Sequence, residues 1–546
     1  MDVALDLRPA GETAPDAARK GTPGGSVSCS GGSVDLQNGG ALARQQQSAS
    51  DGAEDLRAQD ATLVCAHPAI MWGLMDLVIR FSKTVSQHKE LLSRVFDFLV
   101  KRCLCRPQPR IRARACYCLL RISKQIADVL QRYPTARTHL FRGLQDKKLL
   151  QVNFSGPPPA VKFEDQLSLF EIAGNLAACA SGAQNRAQRQ HMCVTVLKPN
   201  LQQLKQSFEM IEREPKRLEH TQFRAKYGLW VSQVILAIAY FSKGLSEEVL
   251  REHLAFFGQA LELGVQITRR LHRHEQLRLK LIVWFHRCIQ FMPPKMCLGL
   301  IWRGLEVLAP ADPASAVTHT NDTLGILRFV GDLVQRYKSK LVAHLTSLVD
   351  RTLQLVQLTQ ADAQCDWDTL SRAMCKWLCV IIQYGCQHAL TDRRTEAWQK
   401  RFLQMLSVGV GKDTKTAHIS IVMFTKLLKV YLVPSVDGGG CTPQQQQCFK
   451  AFVTRWLIPR MFDYQIKHPR ATVGERGFLL LVKSMVRFQV QVLEVAPLFR
   501  TWLGNFLAKE VQWPAEVIAQ YLGFLGNGKV KEALQCLRTH LHTRTK

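Results

Sequence analysis

Long apolar runs are missing from this 546-residue chain: the longest, Val234 to Phe241, covers eight residues, against the roughly 20 that a membrane-spanning helix needs. The reading is a soluble protein with no membrane insertion. Alternating Val/Thr/Tyr segments bounded by turn signals are equally hard to find, while Leu is abundant throughout, which disfavours strands and points to an all-α fold. The start carries Asp2 and Asp6 and no apolar core of secretory length, so it reads neither as a signal peptide nor as an Arg-rich transit sequence. Catalytic signatures are absent too: no H-E-x-x-H, no nucleophile elbow between strand and helix, no dinucleotide fingerprint. The nearest approach to a phosphate-binding loop, GVGKDT at Gly409 to Thr414, has Asp413 where Ser or Thr is needed and Leu406 in place of the first Gly. The chain is therefore read as no enzyme, with no catalytic residue and no cofactor.

Negative charge is in short supply. The net charge is +28, yet residues 1 to 60 hold nine acids against five bases, which leaves 67 Lys and Arg against 35 Asp and Glu on residues 61 to 546. So much uncompensated positive charge repels itself unless something anionic is near, and nucleic acid or an acidic protein is the partner class it suggests.

The 17 cysteines invite a zinc or disulfide reading. Cys103, Cys105, Cys116 and Cys118 form C-x-C pairs, however, and not the C-x2-C knuckle that grips tetrahedral zinc. On a helix, residues two apart diverge, and Cys is a frequent core filler. Cys375 and Cys379, one turn apart, read the same way. No metal site is expected, and a reducing compartment fits.

Residues 1 to 60 are rich in Gly, Ser, Ala, Gln and Asp, with GGSVSCSGGS and RQQQSAS standing out, and are read as a disordered low-complexity tail. From Leu63 the chain changes to helical segments of roughly 12 to 20 residues with short polar or Pro/Gly breaks. The breaks include Arg106 to Pro109, Ser155 to Pro159, Pro293 to Pro294, Pro310 to Pro313 and Val436 to Pro443. Helix pairs recurring about every 40 residues predict a HEAT-type α-solenoid over residues 61 to 546. Each pair leaves an apolar face that only the next can cover, which yields a superhelix with one concave surface suited to a large ligand.

Two segments combine a packing face with a basic one. In PRIRARACYCLLRISKQI, Pro109 to Ile126, residues Ile111, Ala115, Cys118, Ile122 and Ile126 share one arc, while Arg110, Arg114, Arg121 and Lys124 gather on the opposite one. Four cations within a few turns suit phosphates, Arg through bidentate hydrogen bonds and Lys as a point charge; Arg112 joins them as a candidate. The segment Arg269 to Phe291 repeats the pattern, with Arg269, Arg273, Lys280 and Arg287 in register opposite Leu281, Trp284, Phe285 and Cys288. His272, His274 and Glu275 lack a second cluster to complete a metal site, so an exposed basic-helix role is the better reading. The tryptophans at 230, 284, 302, 377, 456, 502 and 513 are scattered, form no base-stacking pattern and read mostly as core. RNA would then be recognised by shape and backbone charge.

Several segments resemble the exportin-T family. Phe98 to Ile126 resembles a family segment in which a helix ends, a basic linker follows and a basic helix begins. FEDQLSLFEIAGNLA, Phe163 to Ala177, resembles a helix with a D-D-Q-L-x-x-Y-E-T-A-G core, matched at Asp165, Gln166, Leu167, Glu171, Ala173 and Gly174. Arg189 to Leu204 with LKPNLQQL, Phe449 to Pro459 and Pro514 to Arg544 are similar to later family segments, in the same order. The resemblance covers about residues 60 to 546 and corresponds to the family's C-terminal half; the N-terminal Ran-binding repeats are not recognisable. It implies a karyopherin-type nuclear export receptor that wraps tRNA together with Ran-GTP, meets nuclear pore components and shuttles between nucleus and cytoplasm. The nine cations named above are its candidate tRNA contacts. The alternative is a helical-repeat scaffold or transport adaptor whose basic stripes bind acidic protein segments.

Overall fold

The computed structural model describes residues 67–152, 161–308, 319–360, 365–386, 388–391, 414–432, 441–467 and 475–541, with single positions at 399, 403, 406, 407 and 410. Their regular structure is helical throughout. The tail read over residues 1 to 60 lies outside the described residues, as do the breaks at Ser155 to Pro159 and Pro310 to Pro313 and most of Gly409 to Thr414. No described helix is long and apolar enough to cross a membrane.

Prolines at the breaks start helices: Pro109, Pro134 and Pro443 each stand in a first turn, where a missing N–H costs nothing. Thr442 adds a capping box with Gln445. Ten helices make a front row: α1 (Pro68–Arg80), α2 (Pro109–Gln125), α3 (Phe163–Cys179), α4 (Thr221–Gly244), α5 (Glu275–Cys288), α6 (Thr320–Tyr337), α7 (Trp367–Gln383), α8 (Thr414–Leu432), α9 (Glu475–Val495) and α10 (Val530–Leu541). Each packs on the next in that order. Behind them a second row includes Arg186–Arg213, which packs on Leu254–Arg270, which in turn packs on Pro294–Leu308. Every pair thus covers its neighbour's apolar face, the HEAT-type α-solenoid that the periodicity predicts.

Helix lengths exceed the sequence reading in the middle of the chain. Arg186–Arg213 runs for 28 residues and continues through Pro199. An interior proline costs about 3 kcal/mol, and here Val196, Leu197, Leu201 and Leu204 are all buried around it, so packing on both neighbours outweighs the local penalty.

A backbone-to-backbone crossing lies between α3 and α4. A Cβ on Gly174 would fall onto the Phe241 carbonyl oxygen and 2.9 Å from Gly244 Cα, and one on Gly244 would fall onto the Glu171 carbonyl oxygen and 2.5 Å from Asn175 N. Two glycines facing each other therefore set the distance between the helices. One turn away, Glu171 is 2% exposed. Its Oε1 lies 2.5 Å from Lys124 Nζ on α2 and its Oε2 lies 3.0 Å from Lys243 Nζ on α4. Arg287 on α5 donates from Nη2 to the Ser242 carbonyl at 2.6 Å and from Nε to Ser242 Oγ at 3.2 Å. One junction so ties four consecutive front-row helices, α2 to α5.

The next link, α5 to α6, is a buried ion pair. Arg278 and Asp322 are 2% and 3% exposed, with Nε and Nη2 at 2.8 and 2.7 Å from Asp322 Oδ2. Arg278 Nη1 also donates to the His272 carbonyl, and burial pushes the Asp322 carboxyl up while Arg278 pulls it down. Of the cysteines, Cys103, Cys116 and Cys118 lie in the core and Cys105 is exposed. Burial pushes the Cys103 and Cys118 thiols up to about 12. Cys375 is buried, with its Sγ 3.5 Å from Ser420 Oγ.

Two stability effects should follow. Asp322→Ala strands Arg278 and should cost about 3–5 kcal/mol, while the double change to Leu at 278 and 322 should recover much of it, both read from urea unfolding. Gly244→Ala should cost about 1–3 kcal/mol by forcing α3 and α4 apart, and an unchanged thermal midpoint would show that the crossing yields freely.

Candidate nucleic-acid interface

The five candidate cations on α2 divide by what they touch. Arg110 and Arg121 are exposed and make no ion pair or side-chain hydrogen bond with any described residue. Arg112 folds back, its Nη1 donating to the Arg106 and Pro107 carbonyls at 2.8 and 2.9 Å, which closes the turn before the helix. Arg114 pairs with Asp76 of α1. Its guanidinium carbon also lies 5.1 Å from the ring centroids of both Trp72 and Tyr117. Lys124 reaches the junction carboxylate of Glu171. The expected single basic stripe is thus corrected: Arg112, Arg114 and Lys124 are engaged within the protein, Arg112 by the carbonyls of the turn before α2, and Arg114 and Lys124 by acids of the flanking α1 and α3, which a helical wheel of α2 cannot display.

The second stripe is corrected further, because the chain turns inside it. Leu254–Arg270 ends just after Arg269, and Arg273 stands in the turn before α5; both are exposed, on different elements from Lys280 and Arg287. His274 causes the turn: its Nδ1 accepts from Leu277 N at 3.1 Å as the N-cap of α5, and its Nε2 lies 3.1 Å from the Ala225 carbonyl. This is a capping histidine and not an exposed one on a basic helix. Lys280 is half-buried, and no ion pair engages it among the described residues. Arg287 points into the junction, lies 5.7 Å from the Phe291 ring, and has its pKa lowered by burial against the opposing pull of Cys288 and Glu171.

Other free cations lie where the sequence reading placed none. Exposed positions of the front row carry Arg328 on α6, Lys376 on α7, Lys429 on α8, and Lys483 and Arg487 on α9, none ion-paired among the described residues. Each helix supplies one or two, so no dense local stripe betrays them; only the recurrence of a lone Lys or Arg among exposed positions, helix after helix, could have done so. The nearby acid Asp332 is engaged, its Oδ2 2.8 Å from His286 Nδ1. Unpaired cations spread over successive helices can meet several phosphates of one large polyanion, whereas no described group of His, Cys, Asp or Glu is arranged to hold a metal.

The seven tryptophans named from sequence are mostly core, as read: Trp230, Trp302 and Trp502 are partly buried against it. Trp284, Trp377 and Trp513 are buried, but Trp456 is 48% exposed, and Trp72 and Tyr117 beside Arg114 are 40% and 46% exposed.

The family model described as Exportin-T matches residues 58–545. A solved structure described as "Importin13 cytosolic state" aligns with a TM-score of 0.45 and 13% sequence identity, covering 85% of this chain and 51% of that one. The chain so spans about half the length of that importin. Comparison with curated proteins gives no match.

The division between engaged and free cations can be measured. Removing both amines from the junction with Lys124→Met and Lys243→Met leaves the buried Glu171 carboxylate without an ion-pair partner, with only Arg287 near it. Stability in urea unfolding should fall by less than the roughly 3–5 kcal/mol of a fully buried pair, because both lysines are half exposed. Charge reversal at Arg110 and Arg121 should leave the unfolding midpoint unchanged. A large loss of stability from that second pair would show that they too serve the fold.

Proposed function

The chain belongs to the exportin-T family of karyopherin-type transport receptors, and on that premise we propose that it carries tRNA from the nucleus, holding the folded RNA backbone against the free cations of the front row. The observation that supports this most is the length of the family match, 58–545, which takes in every helix bearing an unpaired cation. Physical chemistry adds the mode of contact. Arg110, Arg121, Arg328, Lys376, Lys429, Lys483 and Arg487 lie on five different helices, a distribution that fits the long, irregular backbone of a folded RNA better than a short peptide. Of the nine cations named from sequence, Arg110, Arg121 and Lys280 are front-row tRNA contacts on this proposal, Arg269 on the second-row helix and Arg273 in the turn before α5 are contacts off that row, and Arg112, Arg114, Lys124 and Arg287 support them from within. Ran-GTP is the proposed co-ligand, nuclear pore components are the proposed partners in transit, and the receptor shuttles between nucleus and cytoplasm.

Fluorescence anisotropy with labelled tRNA tests the reading. Folded tRNA should bind more tightly than a DNA duplex of equal charge, with affinity falling linearly on a log–log plot against salt. Charge reversal at Arg110 and Arg121 should flatten that slope by about one for each phosphate that is no longer neutralised. Equal affinity for tRNA and heparin would sink the specific version. Addition of Ran loaded with GTP should tighten tRNA binding, and Ran loaded with GDP should not.

A further inference from the structure

The surface where α1 meets α2 has a feature that backbone binding does not use. On α2, Arg110, Arg114, Tyr117 and Arg121 follow one another at intervals of four, three and four residues and so share one face. On α1, Trp72 and Asp76 stand one turn apart and meet that face through Arg114. Arg114 is bonded to Asp76 and lies over both aromatic rings, so its charge is spent inside the protein and it fixes the rings as a platform. Trp72 and Tyr117 nevertheless remain 40% and 46% exposed as residues. Exposed Ile70 and Leu77, with Phe81 at the end of α1, form another stripe spaced at seven and four residues, so Trp72 is no part of a general apolar patch.

Two exposed aromatics between two unpaired arginines match a single-stranded nucleic-acid platform, in which rings stack bases and cations take the flanking phosphates. Arg110 and Arg121 are separated by roughly 16 Å along the helix axis, at 1.5 Å per residue. Phosphates on both sides of a base stacked at Tyr117 or Trp72 fall between them. An acidic peptide would satisfy the arginines but would give the rings no planar partner.

We infer that Trp72 and Tyr117, positioned by Arg114 and Asp76, stack an unpaired nucleobase while Arg110 and Arg121 hold its flanking phosphates. This rests on the proposal that the cargo is a nucleic acid, and it adds recognition of a base that is not in a duplex. It departs from the sequence-based expectation of recognition by shape and charge alone.

The test uses the full chain and two probes, a short oligouridine and a blunt RNA duplex with the same number of phosphates, in anisotropy titrations at one salt concentration. Trp72→Ala with Tyr117→Ala should weaken oligouridine binding at least about tenfold and leave duplex binding within about twofold. Tyr117→Phe keeps the ring and should bind oligouridine as the parent does; the thermal midpoint of each variant checks folding. Equal losses for both probes, no loss for either, or a Phe variant as weak as the Ala variant would each overturn the inference. Oligouridine binding that depends on Trp72, in a chain that fails to prefer folded tRNA, would sustain the stacking site and remove the tRNA reading. Normal tRNA preference with oligouridine binding indifferent to the rings would do the reverse.

Discussion

A carboxylate with 2% of its residue in solvent needs cations and hydrogen-bond donors brought to it, and the middle of this solenoid is arranged around that need. Glu171 is reachable only because Gly174 and Gly244 let α3 and α4 approach backbone to backbone, which brings Lys243 to one carboxylate oxygen as Lys124 arrives at the other. Arg287 then fastens α5 to the end of α4. The close crossing and the ion pairs are one device: a wider crossing would move Lys243 away, and without Lys243 half of the carboxylate's charge would go unanswered. From there the stack continues through Arg278 and Asp322 into α6.

This arrangement changes the meaning of the chain's positive charge. Basic residues serve two separate purposes here, and their surroundings tell them apart. Those on the flanks of front-row helices find an acid or a carbonyl on the next helix and hold the stack together. Those on the outward positions find none among the described residues and leave the surface positive. Only the second group bears on an anionic partner, so the net charge of +28 states the size of the imbalance and not where it can act.

The all-α class and the helical repeat were legible because apolar periodicity and proline breaks are local properties. Pro109 and Pro443 lay at breaks read directly from the letters and proved to be first-turn residues. The role of a charged residue was far less legible, since it depends on what the neighbouring helix brings. Arg114 is answered by an aspartate 38 positions away and Arg287 by a serine 45 positions away, separations at which periodicity within one helix is silent. The second stripe failed for a different reason: His274 can join a basic face or cap a helix, and the competition was decided by Leu277 N and the Ala225 carbonyl. Trp72 escaped notice because it shares α1 with the buried Met71 and Met75, and only the rotation of that helix sets them apart. The family motif was more informative than it looked as a string, for Glu171 and Gly174 are the residues at which the helices cross.

The outward cations and the junction differ in how they can change over evolutionary time. A lysine standing alone on its own helix, such as Lys376, can be lost, gained or moved a turn without disturbing a neighbour. The electrostatic character of the surface can therefore drift helix by helix among descendants of this chain, with no single position indispensable. Glu171, Gly174, Gly244 and Lys243 permit no such gradual route. Any one of them altered alone leaves the others in conflict, so they should pass through lineages as a block, or be replaced as one.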